Sequence, residues 1–365
     1  MKSRTHSFDP DYGVPPGETL EETLEKAGMT QAQLARRTGR PLKTINEILH
    51  GKAAITPETA LQLERVLGLP ASFWNRLEVD YRAALARSEE LKRLASEVDW
   101  LDRFPIDEMV RMGLISRGRD RPSTLAHLLS FFGISSPESL INSLPGRQRA
   151  LFRRSSAFTV SAGATAVWLR MGERDAAEIR TRPFDAAKFR EALSRIRLLS
   201  REEPSIFEPE MKRLCADAGV VVLILRDVPG TRASGATRWL TPDRAIIQLT
   251  IRGKYEDRFW FNFFHEAAHL LLHGRREEFV EEADEEVDPI KEEEANRWAA
   301  DFLIPPVAFD RLIEVDFRDH TVLEHFAREH GVATGIVIGR LQKAEKLGWG
   351  SPLNKLKTKF ALVDD

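Results

Sequence analysis

The chain has 365 residues, 42% of them apolar, which is enough to fill two or three packed domains. A net charge of −2 gives no whole-chain attraction to nucleic acid or membrane, so any such contact must come from a local patch. The single cysteine, Cys215, excludes an internal disulfide and fits a reducing cytoplasm. It lies in a helical stretch, Met211–Ala216, where a buried inert thiol is expected.

Residues 1–14 read as a flexible lead-in; they are polar and mixed in charge, unlike a signal peptide. Residues 15–87 read as a domain of short helices. Thr19–Lys26 carries Leu20 and Leu24 and stops at Gly28. Thr30 and Gln33 form a capping box for a second helix, with Met29 and Leu34 at the staple positions. A third helix opens near Pro41 and ends before Gly51. A fourth opens at Thr56-Pro57, and a fifth runs from Ala71 through Arg87. Helix, glycine turn, helix is the helix-turn-helix pattern.

In that pattern Leu34, Ala35, Ile45, Ile48 and Leu49 form the core between helices two and three. Leu42, Lys43, Thr44, Asn46 and Glu47 lie on the exposed face. Arg36, Arg37, Arg40, Lys43 and Lys52 make a local basic patch suited to phosphates. Lys43 and Asn46 can reach base edges, and Gln31 and Gln33 can bond a phosphate from the start of helix two.

Met29–Ala35, Ile45–Gly51 and Ala54–Ala60 resemble the Xre-type helix-turn-helix of HigA-like antitoxin repressors over about sixty-five residues. The resemblance implies operator DNA binding as a homodimer, and a toxin partner. Arg40-Pro41-Leu42 departs from the serine and basic residue that the family often has there.

Residues 88–204 read as a helical connector without evident chemistry. Leu85–Leu101 has helical spacing, Phe104-Pro105 breaks it, and further helices are expected over Ile106–Leu114, Leu125–Phe132, Ala164–Met171 and Asp185–Leu199. The arginines of Arg147–Arg154 are read as a solvated loop or interdomain salt bridges.

From about residue 205 the period changes. Val220–Leu225 is a β-branched run, a buried strand. Gly235–Leu240 and Ala245–Thr250 are strands joined by the turn Thr241-Pro242-Asp243-Arg244. Next comes Phe259–His273, an apolar run containing His265-Glu266-Ala267-Ala268-His269. It is too short, and flanked by too much charge, to span a bilayer. On a helix, residues four apart share a face. His265 and His269 can therefore address one ion, and Glu266 sits where it can deprotonate a water. His273 reads as a capping or hydrogen-bonding residue, with Gly274 as the helix stop.

Two histidines leave a zinc site incomplete. The acidic stretch Glu277–Glu286 reads as a solvated loop. In the helix beyond it, Ala295, Trp298, Ala299 and Phe302 form the apolar stripe; Glu294 borders that stripe, while Glu292 and Glu293 are assigned to the water side.

Ile251–Lys254, Asp257–Phe261, His265–His273 and Glu294–Ala299 with Pro305 resemble the ImmA/IrrE metallopeptidases over residues 205–345, with Ala268 where the family more often has glycine. The resemblance implies a gluzincin-like fold with His265, His269 and Glu294 as Zn2+ ligands and Glu266 as general base. It also implies a repressor protein as substrate; for an oxyanion stabiliser His320, His325 and His330 are candidates by residue type only, and each reads more readily as a surface histidine.

The resulting expectation is a cytoplasmic, mainly α chain with a small β-sheet (α+β). An all-α DNA-binding domain (15–87) and a connector (88–204) precede a zinc metallopeptidase-like domain (205–345) and a tail (346–365). The chain would repress transcription and cleave a regulatory protein or itself. The rival from another class is a non-catalytic repressor whose zinc domain binds a toxin or senses a signal.

Overall fold

The computed structural model describes residues 14–143, 160–231, 233–251, 255–273, 279–280 and 289–361. The arginines of Arg147–Arg154, Gly274 and the acidic stretch Glu277–Glu286 fall wholly or mainly outside these. The chain divides into two compact units, Met1–Asp99 with Gly118–Ala126, and Trp100–Arg117 with His127–Asp365. No described helix is long and apolar enough to cross a membrane.

The first unit is built on α1 (Pro16–Lys26), α2 (Gln31–Thr38), α3 (Leu42–Leu49), α4 (Pro57–Leu67) and α5 (Ala71–Leu94). Both arms of the expected capping box form: Gln33 N–H donates to Thr30 Oγ1 at 3.2 Å, and Thr30 N–H donates to Gln33 Oε1 at 2.8 Å. Leu34, Ala35, Ile45, Ile48 and Leu49 join Leu20, Leu24, Leu63 and Trp74 in one core. Gly17 lets α1 approach α3 closely, since a Cβ there would strike the Ile48 and Leu49 carbonyls.

Helix α5 does not end at Arg87. It runs unbroken to Leu94 because no Gly or Pro interrupts it. Ion pairs at three- and four-residue spacing brace its length, among them Arg82–Glu78 at 2.7 Å and Lys92–Glu89 at 2.8 Å. The expected domain boundary at residue 87 thus falls inside a helix.

The second unit is α+β. Its sheet contains β1 (Val220–Leu225), β2 (Gly235–Thr241), β3 (Arg244–Thr250) and β4 (Phe279–Val280), in the order β1-β3-β2-β4. β2 and β3 form the antiparallel hairpin expected from the Thr241–Arg244 turn, and β1 pairs with β3 in parallel. Alternate residues serve two cores. Val220, Val222, Ala245, Ile247 and Leu249 face the main core, while Val221, Leu223 and Ile246 pack with Ala176 on the other side. Burial on both faces explains the unbroken apolar run of β1.

Ala176 belongs to α9 (Val160–Ala177), which follows α6 (Ile106–Arg111), α7 (Arg121–Phe132) and α8 (Pro137–Ser143). The buried Arg238 of β2 holds α9 in place, donating to Glu173 Oε1 at 2.7 Å and to the Leu169 carbonyl at 2.9 Å.

The main core combines α10 (Ala186–Leu198), α11 (Pro204–Asp217), α12 (Glu256–Leu272), α13 (Pro289–Leu303), α14 (Pro306–Ile313), α15 (His320–Glu329) and α16 (Thr334–Lys343). Its buried members run from Phe189 to Phe360, wider than the expected 205–345 on both sides. Phe360 packs against Phe207 and Phe259, so residues long past 345 belong to the domain. Cys215 is buried in this core, and burial pushes its thiol pKa up, as expected of an inert thiol.

Candidate functional site

Helix α12 carries the His-Glu-x-x-His motif, and its environment follows from its composition. Phe259, Trp260, Phe263, Phe264 and Ala267 bury one side in the main core, and the Thr237 hydroxyl of β2 donates to the Glu266 carbonyl at 3.1 Å. His265, Glu266 and His269 are all buried.

The two imidazoles converge. His265 Nε2 and His269 Nε2 lie 3.0 Å apart. A carboxylate completes the set, and it belongs to Glu292: its Oε2 is 3.2 Å from His265 Nε2 and its Oε1 is 3.6 Å from His269 Nε2. The three ligand atoms lie within 4.8 Å of one another. Two imidazole nitrogens and one carboxylate, from two facing helices, match the donor set of a catalytic zinc site. Burial, reinforced by the neighbouring His265, His273 and Lys291, lowers the His269 pKa to about 2. The ring therefore stays neutral, as a metal ligand must.

This corrects two sequence expectations. Glu294 is not brought to the histidine pair; it is mostly exposed and meets His273, with Oε2 3.3 Å from Nε2. Glu292, assigned to the water side, is only 19% exposed. The reason lies in the helix repeat. Glu292 is three residues before Ala295 and seven before Ala299, almost two full turns, so it shares their buried face. Counting Trp298 into the stripe, although it is only half-buried, shifted the expected face toward Glu294. The pattern Glu-x-x-Ala-x-x-x-Ala was a usable signal for Glu292.

Two residues of β2 had no motif to announce them. Thr237 makes the bond already described, and Gly235 lies directly against Glu266: a Cβ there would strike its carboxylate and side-chain carbons. His320, His325 and His330 lie on or next to α15. His325 pairs with Glu329 at 3.9 Å, His320 sits beside its own N-cap residue Asp319 at 3.6 Å, and His330 packs on Phe326.

In the first unit, Leu42, Lys43 and Asn46 are exposed on one face of α3, with Thr44 half-buried beside them, and Lys52 is exposed just beyond. Lys43 makes a long pair with Glu47 at 3.8 Å. Two of the expected phosphate contacts have prior engagements. Gln33 spends its side-chain oxygen on the capping box, and Arg40 Nε donates to Gln62 Oε1 at 2.7 Å. Gln31, half-buried, opens α2.

Residues 215–342 match the family profile of the IrrE N-terminal-like domain, and residues 20–74 match that of the helix-turn-helix. Over 86 residues the chain is 30% identical to the uncharacterized HTH-type transcriptional regulator YddM of Escherichia coli K12, covering 22% of this chain and 92% of that protein. It is also 37% identical over 65 residues to virulence-associated protein A of Dichelobacter nodosus, covering 18% of this chain and 62% of that protein. Among solved structures, an addiction module antidote protein of the HigA family from Coxiella burnetii is 32% identical, covering 24% of this chain and 95% of that chain, with a TM-score of 0.22. The Pseudomonas aeruginosa antitoxin HigA, solved with its higBA promoter, is 30% identical, covering 23% of this chain and 94% of that chain, with a TM-score of 0.22.

Proposed function

Since the chain belongs to the HTH-type transcriptional regulators and joins to that domain an IrrE N-terminal-like domain, we propose that it is a DNA-binding repressor with a zinc-dependent peptidase that cleaves a regulatory protein. The observation that carries the peptidase reading is the meeting of His265, His269 and Glu292, with Glu266 buried beside them.

His265, His269 and Glu292 would hold the zinc. Bound there, it would supply a Lewis acid for a peptide carbonyl and make water a better acid. Glu266 is the general base: its carboxylate takes a proton from the attacking water and returns it to the departing amine. Gly235 gives that carboxylate its room. His269, kept neutral by burial, presents a nitrogen lone pair at neutral pH.

The DNA-binding reading rests on the exposed face of α3. Lys43 and Asn46 reach bases, while Gln31, Thr44, Lys52 and the remaining donors of Gln33 and Arg40 serve the phosphate backbone. Leu42 offers an apolar contact. A symmetric operator read by a homodimer, and a toxin or a second repressor as protein partner, complete the reading.

Glu266→Gln tests the enzyme. It should keep zinc and operator binding but abolish cleavage of the regulator, or of the chain's own N-terminal domain, by the wild type. Wild-type protein that binds zinc yet cuts no regulator encoded near its operator, nor itself, would replace this reading with a zinc-stabilised binding domain. For DNA, Asn46→Ala should weaken binding to the protein's own promoter in a mobility-shift assay, and unchanged binding would remove α3 as the reading helix.

A further inference from the structure

We propose that Glu294 and His273 form a hydrogen-bonded chain that fixes the tautomer and orientation of His269, making both of them positioning residues for the metal centre. The proposal rests on the metal-centre reading and adds two residues to it.

The geometry is a line of contacts leading away from the centre. Glu294 Oε2 lies 3.3 Å from His273 Nε2. His273 Nδ1 lies 2.9 Å from His269 Nδ1. His269 Nε2 lies 3.0 Å from His265 Nε2, on the side of the ligand set. The His273 side chain is almost entirely buried, while Glu294 reaches it from the exposed edge of α13.

The direction of each hydrogen bond follows from its far end. A carboxylate only accepts. The Nε2–H of His273 therefore donates to Glu294, and in a neutral ring this leaves His273 Nδ1 as an acceptor. His269 must then donate from Nδ1–H. Its Nε2 carries the lone pair, on the side where His265 Nε2 and Glu292 lie. A ligating histidine held through its other nitrogen binds metal more tightly, because the ring is neither free to rotate nor free to choose the wrong tautomer.

The backbone explains why His273 can do this although it is four residues beyond His269. Helix α12 ends at Leu272, and His273 is its C-cap with φ −109° and ψ 158°, an extended conformation. Leaving the helix lets the ring reach the outer nitrogen of His269 instead of continuing the ligand stripe. The same arrangement gives Glu294 a place at the site without making it a ligand.

The test uses the full chain and measures zinc affinity by competition with a chromophoric chelator. His273→Phe should weaken zinc binding about 10- to 100-fold, the usual effect of removing such a partner. His273→Asn keeps an acceptor at the same distance along the side chain and should recover most of that loss. Glu294→Gln should weaken binding several-fold in the wild-type background and leave it unchanged in His273→Asn, where the ring that joins them is gone. Unchanged affinity in Glu294→Gln would overturn the proposal. So would an equal effect of Glu294→Gln in both backgrounds, a comparison that needs no phenylalanine variant to fold. Loss of zinc in Glu294→Gln as complete as in Glu292→Gln would make Glu294 a ligand and overturn it as well. His265→Ala serves as the separate control: zinc retention there would remove the centre itself, whatever the His273 variants did.

Discussion

Gly235 of β2 packs against the carboxylate of Glu266, so closely that a methyl group at position 235 would overlap it. The strand thereby sets where the proposed general base can point. Gly235→Ala should cost about 1–3 kcal/mol by overpacking, measured by urea unfolding. Glu266→Ala in the same chain should return most of that loss. If the two effects simply add, the contact does not constrain Glu266.

The assignment of the third ligand separates two neighbouring glutamates. Glu292→Gln should lower zinc content far below stoichiometric after dialysis, whereas Glu294→Gln should retain the metal, with the reduced affinity argued above. Elemental analysis of the purified variants decides between them. The reverse pattern would restore the assignment first drawn from the sequence resemblance.

Residues past 350 are tied to the motif helix by a buried ion pair. Lys357 Nζ lies 2.6 Å from Asp257 Oδ2 and 2.7 Å from Gln342 Oε1, and both charged side chains are less than a tenth exposed. Lys357→Met should destabilise the domain by about 3–5 kcal/mol because it strands a buried carboxylate. Asp257→Asn added to it should recover much of the loss. A melting temperature unmoved by Lys357→Met would show that this segment is dispensable.

Burial holds Glu256 above its ordinary pKa of 4.5, with the neighbouring Asp257 adding to the rise against hydrogen bonds from Thr358 and Gly335. The folded chain thus keeps a proton that the unfolded chain has released. Below pH 4.5 both states are protonated and this penalty is absent; stability declines as pH rises through the folded value. Glu256→Gln should flatten that decline in melting temperature above pH 4.5. An identical slope in both proteins would mean that Glu256 ionises in the fold at little cost.

Lys43 is exposed on the face of α3 proposed to read DNA, and pairs with Glu47 at 3.8 Å. Lys43→Ala should weaken operator binding and relax the preference for the operator over unrelated DNA, the signature of a lost base contact. If instead binding weakens equally on all sequences and the salt slope falls by about one unit, Lys43 meets a phosphate and not a base.

Much of this architecture was legible in the sequence because it is written in local rules. The capping box at Thr30 and Gln33, the core positions of α2 and α3, and the hairpin turn at Thr241–Arg244 each depend on residues a few positions apart. The four-residue spacing of His265 and His269 placed two imidazoles on one face for the same reason. The end of α5 was misplaced because a long charged helix without breakers resembles two shorter ones when read by composition alone.

What local rules could not decide is which distant groups complete the site. Three consecutive glutamates, Glu292, Glu293 and Glu294, differ only in the direction each takes from α13. That direction depends on how α13 lies against α12, a packing fact with no short-range signature. That packing hands Glu292 to the histidine pair and Glu294 to His273, while β2 brings Gly235 against Glu266 and the C-terminal segment ties Lys357 to Asp257. The sequence by itself determined the chemistry on offer: two histidines, a glutamate beside them, an exposed helix of a helix-turn-helix and a choice of carboxylates. Only the tertiary structure decided which carboxylate meets the histidine pair, because side-chain proximity across two helices is set by the shared core and not by spacing along either one.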